Sequence, residues 1–390
     1  MQVIYLDYNL TRKELMHPDT INKNACSFNQ NSLPHLLRLN QVSRELLKPL
    51  EKHLEDNKIN LYIYPHFDQT GQVMISGSEQ KLHTLTNTLQ SAGGSFAKLG
   101  SLINQALVGA TNINAGKLYI GENSYSLGEK TLVMGILNVT PDSFSDGGKF
   151  NSFDRALSQA YQMAEDGADI IDIGGESTRP GYEQADRVSA ADEIKRVLPL
   201  IRALKRDSAF KLPISIDTYK AETAEQALAE GVDLLNDVWA FKEDKNIAAV
   251  AAKYKVPVCL MHNRRSTVYK DLIADIIKEL QESIELAEQA GVDSKNIILD
   301  PGIGFGKDHQ QNLDVMLHLS EIKALGFPLL LGTSRKRIVG NTLNLPVDER
   351  VEGTAATVAY GISVGVDIVR VHDVKEMRRV ADMTDALVRR

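Results

Sequence analysis

The stretch TLVMGILNVTPDSFSDGG, residues 131–148, decides the fold class, because it joins a continuous apolar run to a polar loop that ends in glycine. Seven more apolar runs follow it along the chain. All are short, rich in Val, Ile and Leu, and continuous rather than alternating, which is typical of parallel strands covered on both faces. The eight runs span residues 131–137, 169–173, 213–217, 232–236, 256–260, 297–300, 328–332 and 367–371.

Stretches with helical spacing separate these runs, for example at 153–168 and 271–291, where Gly291 is the predicted end of a helix. Eight strands alternating with helices over about 260 residues match the size of a (β/α)8 barrel. A doubly wound open sheet is the structural alternative, but the count of eight strands favours the barrel. The sequence therefore predicts an α/β protein built on a (β/α)8 TIM barrel.

The residues before the barrel follow a different pattern. GKLYIGENSYSL (116–127) predicts a β-hairpin around Glu122-Asn123 that would plug the N-terminal mouth of the barrel. The preceding region contains helix candidates at 33–56 and 78–91 and strand candidates at 59–64 and 72–76. We therefore expect a smaller N-terminal α+β domain of unknown role over residues 1–112, and the barrel over residues 116–390.

Composition excludes several classes of protein. The chain of 390 residues has a net charge of −7 and a pI near 5.8, which argues against a nucleic-acid or anionic-membrane partner. Its two cysteines, Cys26 and Cys259, lie far apart, which excludes a disulfide scaffold or zinc ribbon and fits a reducing compartment. No signal peptide and no apolar run of about 18 residues is visible. We expect a cytoplasmic enzyme.

Polar side chains follow the predicted strands at the end where the active sites of (β/α)8 barrels form. Asp217, Asn236 and Asp300 end three strands, where an unpaired carboxylate would be costly to bury. Such residues can also cap the following helix, and that role fits Asp237 and Asp373 better. Two carboxylates and an amide suit a flat ligand rich in N–H donors, such as an amino-oxo heterocycle.

Other strand ends carry side chains that suit an anionic ligand, since they can donate to phosphate or carboxylate oxygens. These are Asn138, Arg179, Lys336, Arg370 and His372. The tract GIGFGK (302–307) has the spacing of neither a dinucleotide fingerprint nor a P-loop, and we expect no helix to begin there. The sequence therefore argues against a nucleotide cofactor.

Seven motifs follow one another along the chain: GILNVTPDSFSDGG (135–148), IDIGGESTRPG (171–181), PISIDTYK (213–220), LLNDV (234–238), LDPGIGFGK (299–307), LGTSRKR (331–337) and RVHDV (370–374). Together and in this order they resemble the dihydropteroate synthases of bacterial folate biosynthesis. The resemblance covers about residues 116–390 and implies a barrel that is usually a homodimer. It also implies an enzyme that joins a dihydropterin methyl diphosphate to 4-aminobenzoate, releasing diphosphate and forming dihydropteroate.

The resemblance implies a role for each site residue. A pterin would bind to Asp217, Asn236, Asp300 and Lys336, between walls formed by Met261 and Phe305. The diphosphate would bind to Thr178, Arg370, His372 and Asn138, the last of which is also a Mg²⁺ ligand. The aminobenzoate slot would be formed by Phe144, Arg179, Pro180 and Ser334, with Ser334 binding the carboxylate. Lys336, Arg370 and His372 would be the catalytic groups.

Three further polar residues receive no direct role at this stage. Asp172 and Glu176 are interpreted as orienting their neighbours through buried hydrogen bonds, and His262 is left open between a ligand contact and a structural role. The chain departs from the family's commonest pattern at Asn263-Arg264-Arg265, where many members have a glycine shortly after the histidine. The conformation of that loop is therefore left open.

Two other functions are weighed against the synthase. A pterin-binding methyltransferase domain acting with a corrinoid partner would share the barrel but would hold no diphosphate. The group formed by Lys336, Arg370 and His372 speaks against it. A catalytically inactive scaffold barrel would have lost polar residues at strand ends, and here all the expected ones are present.

Overall fold

The computed structural model describes residues 2–6, 21–22, 35–63, 70–111, 116–139, 149–176 and 188–389. Contacts between Cα atoms divide the chain into two compact units. One unit comprises Met1–Ile113 with Ser320–Gly326, and the other comprises Asn114–Leu319 with Phe327–Arg390. Across the described ranges, no helix is long and apolar enough to cross a membrane.

Among its described residues, the Met1–Ile113 part of the first unit contains a five-stranded antiparallel sheet and three helices. Its strands are β1 (Gln2–Leu6), β2 (Ile21–Asn22), β3 (His35–Ser43), β4 (Asn60–Ile63) and β5 (Thr70–Gly77), in the order β1-β3-β5-β4-β2. The helices are α1 (Arg44–Asp56), α2 (Glu79–Ala92) and α3 (Gly94–Thr111). Leucines of all three helices share one core with the sheet, including Leu50, Leu82 and Leu99. The strands predicted at 59–64 and 72–76 and the helix predicted at 78–91 are confirmed.

The helix predicted over 33–56 is wrong in its first half, where β3 runs between β1 and β5. Leu37, Leu39 and Val42 of β3 reach the core, at spacings of two and then three, because the strand register shifts between Leu39 and Val42. This broken alternation imitates helical spacing. The helix begins at Arg44, where the Ser43 hydroxyl accepts from the N–H of Leu46 at 3.3 Å.

The second unit begins with a hairpin of β6 (Lys117–Ile120) and β7 (Asn123–Ser126). Eight parallel strands follow: β8 (Leu132–Asn138), β9 (Ile170–Gly174), β10 (Ile214–Asp217), β11 (Leu234–Asp237), β12 (Val258–Met261), β13 (Ile297–Asp300), β14 (Leu330–Leu331) and β15 (Ile368–Val371). They pair in the order β13-β12-β11-β10-β9-β8-β15-β14. A parallel bridge between Leu299 and Leu329 joins the two outer strands. The TIM barrel is therefore confirmed, and the open-sheet alternative is wrong.

Helices alternate with these strands along the chain. They are α4 (Lys149–Glu165), α5 (Ala190–Arg206), α6 (Ala221–Ala229), α7 (Asn246–Tyr254), α8 (Leu272–Gln289), α9 (His309–Leu317), α10 (Leu319–Lys323), α11 (Arg337–Leu343), α12 (Val351–Ser363) and α13 (Val374–Val388). Gly291 follows the end of α8 with a φ of 96°, as predicted for a helix terminus.

The hairpin closes the N-terminal end of the barrel. Leu118 and Ile120 of β6 are fully buried in one cluster with inward-facing residues from the starts of the strands. That cluster includes Leu132, Ile170, Leu234, Cys259, Ile298, Leu330 and Ile368. The predicted plug is therefore present, and its turn lies at Gly121-Glu122, one residue earlier than predicted.

Three local predictions about helix starts are wrong. A helix, α9, does begin just after GIGFGK, and Asp308 and Gln311 form its capping box, a signal present in the sequence. Asp373 stands directly before α13, but its carboxylate accepts from Nε of Arg335 at 2.9 Å instead of capping the helix. Asp237 does not cap the next helix either: its carboxylate accepts from backbone N–H groups in the turn directly after β11, at 2.8 Å from the N–H of Trp239.

Candidate active site

The polar side chains of the site face the barrel interior because of their positions in the strands. Successive side chains of a strand point to opposite faces, so residues two apart share a face. In four strands the first inward-facing residue packs in the buried cluster with the hairpin residues Leu118 and Ile120. These four residues are Ile170, Leu234, Ile298 and Ile368. Two positions further along these strands stand Asp172, Asn236, Asp300 and Arg370. The strand ends therefore bring four polar side chains to the interior.

The guanidinium of Arg370 joins two carboxylates from neighbouring strands. Its Nε lies 2.6 Å from Oδ2 of Asp172, and its Nη2 lies 2.6 Å from Oδ2 of Asp217. Asp172 is fully buried, and it also accepts from the amide nitrogen of Asn236 at 3.0 Å. Because that nitrogen is engaged by Asp172, Asn236 offers its oxygen as the acceptor for a ligand. Asp172 thus orients its neighbours, as interpreted from the sequence.

Asp217 has one carboxylate oxygen to spare. Its Oδ1 is buried and has no hydrogen-bond partner among the described residues. Burial, opposed by the Arg370 guanidinium and assisted by the nearby charge of Asp172, raises the pKa of Asp217 to about 7. A buried acceptor without a partner is costly, so a ligand N–H at this position would be bound favourably.

Asp300 and Lys336 add a second carboxylate and an ammonium group to the site. The Asp300 carboxylate accepts from the N–H of Gly302 at 2.7 Å, and burial raises its pKa. The ammonium of Lys336 donates to the carbonyl of Ile303 at 2.7 Å and lies 4.8 Å from the ring centroid of Phe305. Burial lowers the pKa of Lys336 to about 8, against the opposing charge of Asp300.

An apolar wall stands beside these charges. Met261 packs in one buried cluster with Tyr219 and Val238, and the partly buried rings of Trp239 and Phe305 pack against it. Met261 and Phe305, predicted to form the walls of a ring-binding pocket, are thus brought together. A flat aromatic ligand is the kind of molecule that such a wall accommodates.

Ser334 and His372 are also brought together. The Ser334 hydroxyl lies 3.0 Å from Nδ1 of His372 and accepts from the backbone N–H of His372 at 3.1 Å. The resemblance assigned these two residues to different ligands, the aminobenzoate and the diphosphate. Their contact means that the two ligands would meet at this pair.

Asn138 ends β8 beside a glycine that leaves space for it. A Cβ added to Gly174 would lie 3.4 Å from Oδ1 of Asn138 and 3.5 Å from Cβ of Asp217. Gly174 therefore keeps open the space between these two side chains. Four other predicted site residues, Phe144, Thr178, Arg179 and Pro180, lie outside the described residues.

Glu176 and His262, the other two residues without a direct role, have separate sets of partners. The Glu176 carboxylate accepts from the Tyr219 hydroxyl at 3.2 Å and pairs with the ammonium of Lys220, which also pairs with buried Glu193 at 3.0 Å. Glu176 therefore orients Tyr219, a member of the apolar wall. His262, the residue after Met261, is buried, and its Nε2 lies 3.2 Å from the Glu279 carboxylate. Burial lowers the pKa of His262 to about 4, which supports its structural role.

Sequence reasoning missed Lys307. Its ammonium is buried and lies 2.9 Å from Nδ1 of His262. In the sequence, Lys307 ends a glycine-rich tract and precedes the start of α9, a position that resembles an exposed lysine. No periodic pattern identifies it, because its burial depends on how the loop after β13 folds onto the end of β12.

Comparison with known proteins agrees with this geometry. A family model described as "Pterin binding enzyme" matches residues 134–372. The dihydropteroate synthase of Clostridium beijerinckii is 59% identical over 272 residues, which cover 70% of this chain and 99% of that relative.

Two solved structures are also similar to this chain. A Clostridium difficile dihydropteroate synthase, in the presence of pteroic acid, has a TM-score of 0.66 and 52% identity, covering 68% of this chain and 100% of that one. A Xanthomonas albilineans dihydropteroate synthase with 4-aminobenzoic acid has a TM-score of 0.66 and 37% identity, covering 70% and 98%. The chain therefore belongs to the dihydropteroate synthases, the pterin-binding transferases of folate biosynthesis that condense a dihydropterin methyl diphosphate with 4-aminobenzoate to give dihydropteroate and diphosphate.

Proposed function

We propose that this reaction takes place at the C-terminal ends of the barrel strands, with the pterin ring bound deepest. The observation that carries the proposal is the buried Oδ1 of Asp217, which has no hydrogen-bond partner among the described residues. Beside it, Asn236 offers a carbonyl oxygen because its nitrogen is held by Asp172. These acceptors match the amino and N–H donors of a pterin.

The rest of the pterin pocket follows from charge and shape. Asp300 supplies a second carboxylate for ring donors, and Lys336 donates toward the carbonyl side of the ring. Met261 and Phe305 pack against the faces of the ring. This assignment explains why two buried carboxylates and a partly buried ammonium lie next to an apolar wall.

The diphosphate is assigned to Asn138, Thr178, Arg370 and His372. Arg370 uses Nε and Nη2 for its carboxylate partners, so Nη1 is the nitrogen that can donate to a phosphate oxygen. Together with the ammonium of Lys336, the guanidinium of Arg370 and the imidazole of His372 stabilise the charge that develops on the leaving diphosphate.

Mg²⁺ is proposed to bind the diphosphate at Asn138. Gly174 leaves open the space in front of the Asn138 amide oxygen, which a Cβ would approach to 3.4 Å. Among the described residues no group of three His, Cys, Asp or Glu could hold a metal. A single amide oxygen fits Mg²⁺, since this ion commonly keeps several waters and binds through substrate phosphates. When bound, the ion would neutralise charge on the leaving group.

The aminobenzoate slot is assigned to Phe144, Arg179, Pro180 and Ser334. Ser334 is buried against His372, at 3.0 Å between hydroxyl oxygen and Nδ1. Its contact with a residue of the diphosphate site supports a slot next to the leaving group, where the amine nitrogen can reach the pterin methylene.

The reaction needs no general base beside the amine, because an aromatic amine is already neutral at pH 7. The difficult step is departure of diphosphate from the methylene carbon, which is conjugated to the electron-rich ring and can carry positive charge. Catalysis then consists of stabilising the leaving diphosphate and positioning the amine. Trapping a pterin cation together with diphosphate would support this route. A strong dependence of the reaction rate on the basicity of the amine would count against it.

One assay tests the proposed function. Diphosphate release should require both the pterin diphosphate and 4-aminobenzoate, and it should be lost in Lys336→Met. A methyltransferase domain would release no diphosphate, and an inactive scaffold would bind without turnover. Release that persists unchanged in Lys336→Met would remove Lys336 from the site.

The remaining proposals concern assembly and location. A homodimer is supported by exposed apolar side chains on and beside the last helices, Leu343, Val347, Met383 and Leu387, and sedimentation velocity tests it. A cytoplasmic location is supported by the acidic composition and the buried thiol of Cys259. We also propose that residues 116–390 are the catalytic domain and that residues 1–112 are a separate domain without a catalytic group.

A further inference from the structure

Among the described residues, no ion pair explains the position of Lys307. Only 8% of its surface is exposed, and its ammonium donates to the carbonyl of Gly302 at 3.0 Å and to that of Phe305 at 3.0 Å. Its third partner is Nδ1 of His262 at 2.9 Å. All three partners are neutral acceptors, so this lysine holds backbone rather than pairing with a carboxylate.

The backbone that Lys307 holds has a tightly restricted conformation. Gly302, Gly304 and Gly306 all have positive φ, of 69°, 88° and 57°. A Cβ on Gly302 would lie 1.9 Å from the carbonyl oxygen of His262. The loop of residues 302–306, here called the sixth loop, is therefore pressed directly against the end of β12.

Two lysines bind this loop at different carbonyls. Lys307 binds the carbonyls of Gly302 and Phe305, and Lys336 binds the carbonyl between them, that of Ile303, at 2.7 Å. Lys336 also lies 4.8 Å from the ring of Phe305. The position of the Lys336 ammonium therefore depends on a loop conformation that Lys307 stabilises.

His262, one of the partners of Lys307, is itself held by the helix that follows β12. His262 lies 3.2 Å from Glu279 of α8, and Arg264 lies 3.4 Å from the same carboxylate. The Tyr269 hydroxyl donates to the carbonyl of Gly306 at 2.8 Å. The sixth loop is thus connected through Lys307 and His262 to Glu279 of α8, and through Gly306 to Tyr269.

We propose that Lys307 is a positioning residue for pterin recognition: it fixes the sixth loop so that Phe305 packs beside Met261 and Lys336 points its ammonium at the ring. This inference rests on the proposed pterin role of Phe305 and Lys336. It assigns Lys307 no contact with either substrate. Its effect should therefore fall on the pterin and not on the aminobenzoate.

The test compares Lys307→Met with Lys336→Met and with the matched control Lys295→Met, an exposed lysine outside the site. Binding of the pterin diphosphate is measured by titration calorimetry, and KM for each substrate by steady-state kinetics. We expect Lys307→Met to raise the Kd and KM for the pterin diphosphate at least tenfold. The KM for 4-aminobenzoate at saturating pterin should stay within twofold, and Lys307→Arg should recover most of the loss. Lys295→Met should match the parent.

The double variant of Lys307→Met and Lys336→Met distinguishes a positioning effect of Lys307 on Lys336 from a general loss of structure. Because Lys307 is proposed to act through both Lys336 and Phe305, Lys307→Met should weaken pterin binding clearly less in the Lys336→Met background than in the parent protein. Additive losses, or equal rises in the KM of both substrates, would overturn the proposal. So would normal pterin binding by Lys307→Met when Lys336→Met binds weakly. Normal pterin binding by Lys336→Met would instead show that the proposed assignment of the pterin pocket is wrong.

A second variant serves if Lys307→Met does not fold. His262→Gln keeps an acceptor for Lys307 but changes its position, and should raise the Kd for the pterin diphosphate three- to fivefold with the KM for 4-aminobenzoate unchanged. The only tryptophan of the chain, Trp239, packs in the same cluster as Phe305, so its emission reports on the wall. An unshifted emission with unchanged pterin binding in His262→Gln would contradict the inference.

Discussion

Nη2 of Arg370 lies 2.6 Å from Oδ2 of Asp217, so a cation assigned to the diphosphate and a carboxylate assigned to the pterin form one ion pair. The residues assigned to the pterin ring and to the diphosphate of the same substrate are therefore electrostatically coupled. Any change at Asp217 should alter Arg370, and coupling of this kind makes single substitutions at the site non-additive.

Asp217→Asn should weaken pterin binding tenfold to a hundredfold while leaving the barrel folded. An amide presents an N–H where the ligand also donates, and losing one charged hydrogen bond costs about 1.5–3 kcal/mol. Calorimetry with the pterin diphosphate measures the loss, with Asp154→Asn, an exposed residue of α4, as the control. Unchanged affinity in Asp217→Asn would falsify the pocket assignment.

The affinity for the pterin diphosphate should be highest between about pH 7 and pH 8. Burial raises the pKa of Asp217 to about 7, so below that value its carboxylate is protonated and loses acceptor strength. Burial lowers the pKa of Lys336 to about 8, so above that value its charge is lost. The kcat/KM for the pterin should therefore fall on both sides. In Asp217→Asn the acidic limb should disappear, and a persisting limb would show that it does not arise from Asp217.

The same pKa shift of Asp217 has an opposite sign for stability. Because burial raises its pKa above the ordinary value of 3.8, the folded state holds a proton that the unfolded chain releases between about pH 4 and pH 7. The contribution of Asp217 to the free energy of unfolding therefore falls as pH rises through that range. Affinity should rise where this contribution falls, a trade-off expected of a binding site.

Gly302→Ala should destabilise the protein more than Gly231→Ala. Both glycines have positive φ, at 69° and 89°, so both substitutions impose similar backbone strain. Only at Gly302 would the new Cβ overlap backbone, 1.9 Å from the His262 carbonyl, whereas nothing lies within 4 Å at Gly231. We expect an additional cost of about 1–3 kcal/mol from the overlap, measured by denaturant unfolding. Equal losses would mean that the sixth loop moves freely.

Sulfonamides should compete with 4-aminobenzoate and not with the pterin diphosphate. They resemble aminobenzoate in shape and in their polar end group, so they should occupy the slot assigned to Phe144, Pro180 and Ser334. Inhibition kinetics with each substrate varied in turn provide the measurement, and Ser334→Ala should raise the aminobenzoate KM and the sulfonamide Ki together. Competition with the pterin would place the slot elsewhere.

Removing residues 1–112 should leave a folded barrel with kcat within an order of magnitude of the full chain. Every described strand of the barrel, the plug hairpin and each proposed ligand-binding residue follow Gly116. The compact unit that contains Met1–Ile113 also includes Ser320–Gly326, so the truncation should lower the melting temperature. A folded, substrate-binding truncation without turnover would show that the N-terminal region completes the active site.

Much of the site was accessible from the sequence because strands impose a period of two. Asp217, Asn236 and Asp300 end apolar strands, and their inward direction follows from the same alternation that buries Ile298 and Leu234. The alternation failed at β3, where the register shift in the strand produces a helix-like spacing. Local pattern was a good guide only where the backbone stayed regular.

Contacts across the barrel could not be obtained in this way. Arg370 comes from β15, and its partners Asp172 and Asp217 come from β9 and β10, far away in sequence. Which cation meets which carboxylate depends on barrel closure and on side-chain length, neither of which is visible in a motif. Lys307 shows the same limit, since its burial depends on a loop folding back on His262.

The hairpin plug turns the barrel into a well whose floor is apolar. With Leu118 and Ile120 filling the N-terminal end, a reactant reaches Asp217 and Asn236 from the mouth where the strands finish. The deeper reactant must then arrive before the shallower one, and the joined product must leave by the route both came in. On the proposed assignment, the pterin therefore binds first and the amine second, and a new pterin can bind only after the product has left.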